Sequence, residues 1–155
     1  MSTISTEELA AVKTAHAHLG ERIAKLEAAV EPAFFDYQGK RIHLAAGEIY
    51  VGTIAAPGAY GSYHLVLLPG DRDDGSWSAQ MDWAKSIGGE LPNRVEGALL
   101  FAAMKDQFKP AWYWTRETHA SDSECAWLQL FDDGIQDYDH KYGEFRARAV
   151  RRSPI

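Results

Sequence analysis

The sequence predicts an α+β protein, with a long N-terminal coiled-coil helix followed by a head of two short helices and antiparallel hairpins. A heptad pattern occupies the first thirty residues, two capped helix starts follow at Ser76 and Asn93, and β-rich runs separated by turn chemistry fill the C-terminal third.

The heptad runs through Leu9, Val12, His16, Leu19, Ile23, Leu26 and Val30, at spacings that alternate between three and four. Leu9, His16, Ile23 and Val30 fall at a positions and Val12, Leu19 and Leu26 at d positions. Such a stripe is too narrow and regular for a helix lying on its own domain, and it implies a partner helix. In a parallel homo-oligomer a g residue meets the e residue five positions on in the neighbour. That pairs Glu8 with Lys13 and Arg22 with Glu27, opposite in sign both times. Ser5 or Thr6 caps the start, Glu7 and Glu8 complement the helix dipole, and Pro32 ends the helix. Residues 1–31 therefore read as an oligomerisation helix, 32–46 as a connector and 47–155 as one binding domain.

In the head, Glu48 to Ile54 and His64 to Leu68 read as strands joined by a loop containing Pro57, Gly58 and Gly61. Pro69 to Gly75 reads as a polar loop. Ser76 caps a helix from Trp77 to Ile87, which Gly88 and Gly89 stop. Asn93 caps a second helix, with Glu96 three residues on and an apolar face of Val95, Ala98, Leu99 and Ala102. Trp112 to Glu117, Cys125 to Phe131, Ile135 to Tyr142 and Glu144 to Arg152 read as strands, with Asp133-Gly134 as a hairpin turn. In the last of these, Phe145, Ala147 and Ala149 face inward while Arg146 and Arg148 form a solvated face.

Composition bounds the function. The chain has 155 residues, a formal net charge of −6 and no apolar run long enough to span a bilayer. Its start lacks the basic and apolar regions of a secretory signal, which points to a cytoplasmic or virion-associated protein. The single Cys125 excludes an intrachain disulfide and reads as a buried structural thiol. The arginines cluster at 146, 148, 151 and 152, and an acidic chain without a broad basic surface is not expected to bind nucleic acid. No phosphate loop, dinucleotide fingerprint or nucleophile elbow is present, so no cofactor and no enzyme activity are expected. Glu96, Glu117 and Glu124 are the carboxylates available for hydrolysis, and nothing in their spacing brings them together. Asp132, Asp133, Asp137 and Asp139 suit a hard cation in chemistry but match no EF-hand, and they read as a solvated hairpin. His64, His119 and His140 lack metal-ligand spacing, so no metal site is expected.

The ordered series Trp83-Ala84, Gly88-Gly89-Glu90-Leu91-Pro92-Asn93-Arg94-Val95-Glu96, Trp112-Tyr113-Trp114-Thr115-Arg116-Glu117, Ala126-Trp127-Leu128-Gln129-Leu130-Phe131, Gly134-Ile135-Gln136 and Arg146-Ala147-Arg148-Ala149-Val150-Arg151 resembles a known domain. That domain is the C-terminal part of the Legionella collagen-like adhesin, found in bacterial and phage proteins. The resemblance covers roughly residues 47 to 152 and implies a C-type-lectin-like fold. By analogy with lectin-like heads on three-stranded necks, a homotrimer is preferred over a dimer. The calcium-site motif of sugar-binding lectins is absent, since Leu91 precedes Pro92-Asn93, and Cys125 lacks the partner that formylglycine-generating enzymes require. Arg116, Glu117, His119, Tyr138, His140, Lys141 and Tyr142 combine aromatic faces with charges beside turns, and are the expected ligand contacts. The function these features suggest is a non-enzymatic, oligomeric recognition module, phage or bacterial, that binds a glycan or surface protein. The alternative is an intracellular phage-encoded protein that binds and modulates a host protein.

Overall fold

In the computed structural model, which describes residues 4–29, 33–55 and 61–155, the heptad segment forms one helix, α1 (Thr6–Ala29). Ser5 is its N-cap: the Ser5 hydroxyl accepts from the Glu8 N–H at 3.1 Å, and the Glu8 carboxylate accepts from the Ser5 N–H at 2.9 Å, a reciprocal capping box. No residue of α1 is buried, and Leu9, Val12, Leu19, Ile23 and Leu26 of the seam stand 46 to 66 % exposed. His16 is exposed too, and Val30 lies outside the described residues.

The remaining elements are β1 (Phe34–Tyr37), β2 (Lys40–His43), β3 (Ile49–Ile54), β4 (Tyr63–Leu67), β5 (Arg72–Gly75), α2 (Trp77–Ser86), α3 (Arg94–Met104), β6 (Trp112–His119), β7 (Asp122–Leu130), β8 (Gln136–His140), β9 (Phe145–Ala147) and β10 (Val150–Pro154). They form a β1-β2 hairpin, a three-stranded sheet ordered β10-β4-β3 and a five-stranded sheet ordered β5-β9-β6-β7-β8. All pairings are antiparallel except β6 with β9, so the protein is α+β with antiparallel and mixed sheets. Two apolar clusters hold the layers together. Ala84 of α2 joins Leu68, Leu91, Trp114, Ala126, Leu128, Ala147 and Ala149, while Leu100 of α3 joins Leu65, Leu67, Tyr113, Phe131 and Val150. Among the described residues no helix is long and apolar enough to cross a membrane.

Local signals match the structure closely. Ser76 accepts from the Ala79 N–H and Asn93 from the Glu96 N–H, and Gly88 takes the left-handed conformation, φ +84°, that stops α2. Asp133-Gly134 turns β7 into β8, with the Leu130 N–H donating to the Ile135 carbonyl.

Four expectations are corrected. The stretch read as a connector contains the β1-β2 hairpin, turned at Gln38 and Gly39, both with positive φ. Its Phe35 stacks on Tyr50 with ring centroids 3.8 Å apart, and Tyr37 meets the buried His64 edge-on at 4.7 Å. The polar stretch 69–75 contains strand β5, because partners far along the chain outweigh its poor β-propensity. Buried Gln80 donates to the carbonyls of Asp73 and Phe145, clamping β5 to β9, and Arg146 pairs with Asp71 and Asp73 at 3.1 Å.

The final arginine-rich run is two strands in different sheets, broken at Arg148-Ala149. Its arginines are not a solvated face. Arg148 is only 8 % exposed and donates to the Gln107 and Leu68 carbonyls at 2.6 and 2.9 Å, bridging the break. In α3 the buried positions are Glu96, Gly97 and Leu100, with Leu99 partly covered, whereas Val95, Ala98 and Ala102 are exposed. Gly97 packs directly against β7, where a Cβ would stand 3.4 Å from the Gln129 side chain.

Glu48 ties the hairpin region to the three-stranded sheet. Its carboxylate takes two hydrogen bonds from Arg151, at 2.9 and 2.6 Å, and one from the Ala45 N–H at 3.0 Å. The hydrogen bond from Arg151, assisted by that from Ala45, holds the Glu48 carboxyl below its ordinary value despite its burial. A depressed folded-state pKa adds stability above the unfolded value of about 4.3, and this is lost as pH falls through the folded value. Glu48→Gln is therefore expected to lower the urea midpoint at about pH 7 and leave it nearly unchanged near pH 2. An equal decrement at both pH values would show that the carboxylate charge is not what matters.

Candidate functional site

Side chains alternate across a strand, so Gln136, Tyr138 and His140 share one face of β8. Register sets them opposite Gln129, Trp127 and Cys125 of β7. On the other side of β7, strand β6 is bulged: Trp114 and Thr118 face Leu128 and Ala126, so an advance of four residues meets one of two. The bulge re-aims the end of β6 and brings His119 onto the same face. The His119 ring lies 4.1 Å from that of Tyr138 and 5.3 Å from that of Trp127, and Trp127 meets Tyr138 edge-on at 5.4 Å. Farther along, Tyr142 stacks on His140 at 4.9 Å with the rings nearly parallel. Five rings, His119, Trp127, Tyr138, His140 and Tyr142, thus form a strip in which Tyr138 is 47 % and Tyr142 78 % exposed.

The strip begins where α3 starts. Arg94, the first residue of α3, lays its guanidinium 3.5 Å over the Trp127 ring and donates to Gln136 at 3.0 Å. Gln136 in turn donates to the Arg94 carbonyl and to Gln129, at 2.7 and 2.8 Å. Glu117 accepts a very short hydrogen bond from the Arg94 N–H, where an anion complements the start of a helix. A surface of mutually tilted rings is thereby flanked by a fixed amide and by a guanidinium stacked on Trp127, a combination that packs on a ring and orients its polar substituents.

Five of the seven expected contacts, Glu117, His119, Tyr138, His140 and Tyr142, lie on or beside this strip. Two do not. Lys141 points the other way and sits 4.3 Å over the Trp77 ring, while Arg116 pairs with Glu90 at 2.9 Å in a neighbouring cleft. Sequence reasoning missed Arg94, Trp127 and Gln136. For Trp127 a signal existed: once Asp133-Gly134 is taken as the turn, register sets it opposite Tyr138. Nothing local connects Arg94 to this face.

Beneath the strip, the buried Cys125 thiol donates to Asp122 at 3.4 Å and lies 3.7 Å from His140 Nδ1. Burial, and then the Asp122 carboxylate, push the Cys125 thiol up. The Glu124 N–H and the thiol hold Asp122 below the usual carboxylate range. Such a cysteine stays a thiol near neutral pH, and a thiol is a poor nucleophile.

The carboxylates are engaged separately. Fully buried Glu96, whose backbone N–H is capped by Asn93, does not close a capping box. Its carboxylate takes a bidentate pair from Arg152, at 2.8 and 2.9 Å, and a hydrogen bond from the Tyr63 hydroxyl at 3.0 Å. Burial and the Glu96 charge push the Tyr63 phenol up. Burial alone draws Arg152 down, but its hydrogen bonds to Glu96 outweigh that and hold it above its ordinary value. Among the described residues no group of three or more His, Cys, Asp or Glu side chains is placed to hold a metal ion. No protein-family model matches the chain, and no curated protein matches it either.

Proposed function

We propose that this protein is a non-enzymatic, oligomeric recognition module whose head binds a glycan through the aromatic strip of β6, β7 and β8. The strip itself carries the reading: His119 and Tyr138 present contiguous ring surface beside Trp127, and Arg94, stacked on Trp127, and Gln136 fix polar groups next to it. Sugar rings offer flat C–H faces to such surfaces and hydroxyls to such edges. The head is read as C-type-lectin-like and phage or bacterial in origin, on the sequence series described above. The neck is read as a parallel coiled coil, trimer preferred, supported by the uncovered apolar seam of α1. Copies held on one neck gain avidity where single sites are weak.

A glycan array probed with the fluorescently labelled full chain tests this. Reproducible binding to a defined set of glycans is expected. Tyr138→Ala with His119→Ala is expected to weaken it by about 30-fold or more, the effect of losing a central contact. Melting temperature should fall by only a few degrees, because both side chains lie at the surface of the sheet. An empty array, or binding that survives the double substitution, would overturn the assignment.

A further inference from the structure

Beyond the strip, we infer that the cleft beside β10 is a docking site for the free C-terminal end of a partner polypeptide, held as a short extended segment. The hydrogen-bonding parity of β10 carries the inference first. Leu68 donates to the Ala149 carbonyl and Ile155 to the Ser62 carbonyl, and the register continues between them as Arg151 with Val66 and Ser153 with His64. Odd-numbered residues thus turn their backbone groups toward β4, and even-numbered ones turn them away. Val150 uses its outward pair on Glu90, donating at 2.8 Å and accepting at 2.9 Å. Arg152 is the next outward residue, and its N–H and carbonyl have no backbone partner among the described residues. In a continued ladder Gly88 would stand opposite Arg152, but its positive φ turns the chain away into the stop of α2.

A cleft of about 610 Å³ opens at this point, with Gly88, Gly89, Asn93, Arg116, Arg152 and Pro154 among its lining residues. Its charge pattern is the second observation. Arg116 and Arg152 both pair with the same oxygen of Glu90, and Arg116 spends only Nη1 there. The Nε and Nη2 edge of the Arg116 guanidinium has no partner among the described residues, and this planar fork matches a carboxylate. A peptide end supplies both chemistries, with its terminal carboxylate for Arg116 and the N–H and carbonyl of its penultimate residue for Arg152. A strand running through is disfavoured. Pro154, the next outward position, has no N–H to offer, so the open edge is a single residue pair long.

The test uses the full chain and a library of fluorescein-labelled pentapeptides rich in Val, Ile and Thr, each made as the free acid and as the C-terminal amide. Free acids are expected to raise anisotropy at micromolar protein, with the matching amides at least about tenfold weaker. Arg116→Gln should remove the preference for the acid, Arg116→Lys should restore it only in part, and the bound peptide should slow hydrogen exchange at the Arg152 amide. The exposed Arg116–Glu90 pair contributes little to folding, so the variants should stay folded. Equal binding of acids and amides, or no binding at about 1 mM protein, would overturn the inference. So would binding abolished by Tyr138→Ala and not by Arg116→Gln, which would place the peptide on the strip.

Discussion

Glu96→Ala is expected to lower the stability of the head by about 3–5 kcal/mol, the cost of leaving a buried charge without its partner. Glu96 is fully buried, and removing its carboxylate takes the bidentate partner from the Arg152 guanidinium, whose side chain is only 20 % exposed and which keeps only Glu90, and leaves the Tyr63 hydroxyl without its acceptor. These groups join the start of α3 to strands β4 and β10, so their loss loosens α3 from the three-stranded sheet. Urea unfolding followed by tryptophan fluorescence measures the effect. Replacing both partners at once, Glu96→Leu with Arg152→Met, should recover most of the loss, because apolar packing avoids the desolvation cost of an isolated charge. A double variant as unstable as Glu96→Ala would show that the polar pairing itself, and not only the avoidance of an isolated charge, holds α3 in place.

If the proposed neck holds the chain as an oligomer, deleting residues 1–31 is expected to give a folded monomer with an unchanged head. The proposed neck rests on five described apolar seam residues, each roughly half exposed or more on the single chain. Burying such side chains between helices contributes about 1.5–3 kcal/mol apiece when complete, enough in sum to hold a short coiled coil together. Since no residue of α1 is buried, its removal should leave the melting temperature of the head within a few degrees. Light scattering of the full chain and the truncated chain reads the mass directly. A monomeric full chain would sink the oligomeric neck, and a truncated chain that fails to fold would show that α1 supports the head.

The readings that match the structure depend on chemistry a few residues wide. Ser5, Ser76 and Asn93 cap helices because each side chain needs only a backbone N–H three residues on. Asp133-Gly134 turns a hairpin because Gly134 accepts a positive φ of 89° at that point. Three of the five rings of the candidate strip follow from the same logic, since strand alternation aligns Tyr138 with His140 and the turn sets Trp127 opposite Tyr138.

The remainder rests on partners far along the chain. Arg94 reaches Gln136 across a separation of 42 residues, Arg152 reaches Glu96 across 56, and Arg148 reaches the Leu68 carbonyl across 80. Taken alone, each of those side chains reads as an exposed charge, and only the fold supplies the carbonyl or carboxylate that makes its burial tolerable. The same holds for backbone. Asp and Gly at 73–75 disfavour a strand, yet β9 and the Gln80 clamp impose one. By itself the sequence determined the heptad helix, the caps, the Asp-Gly hairpin and the α+β class, all of which are set between near neighbours. Tertiary structure alone decided which arginines are buried, where the last strand breaks between sheets, and which residues of α3 and β6 to β8 share one surface. Those outcomes depend on the desolvation and pairing of groups that meet only once the chain has folded.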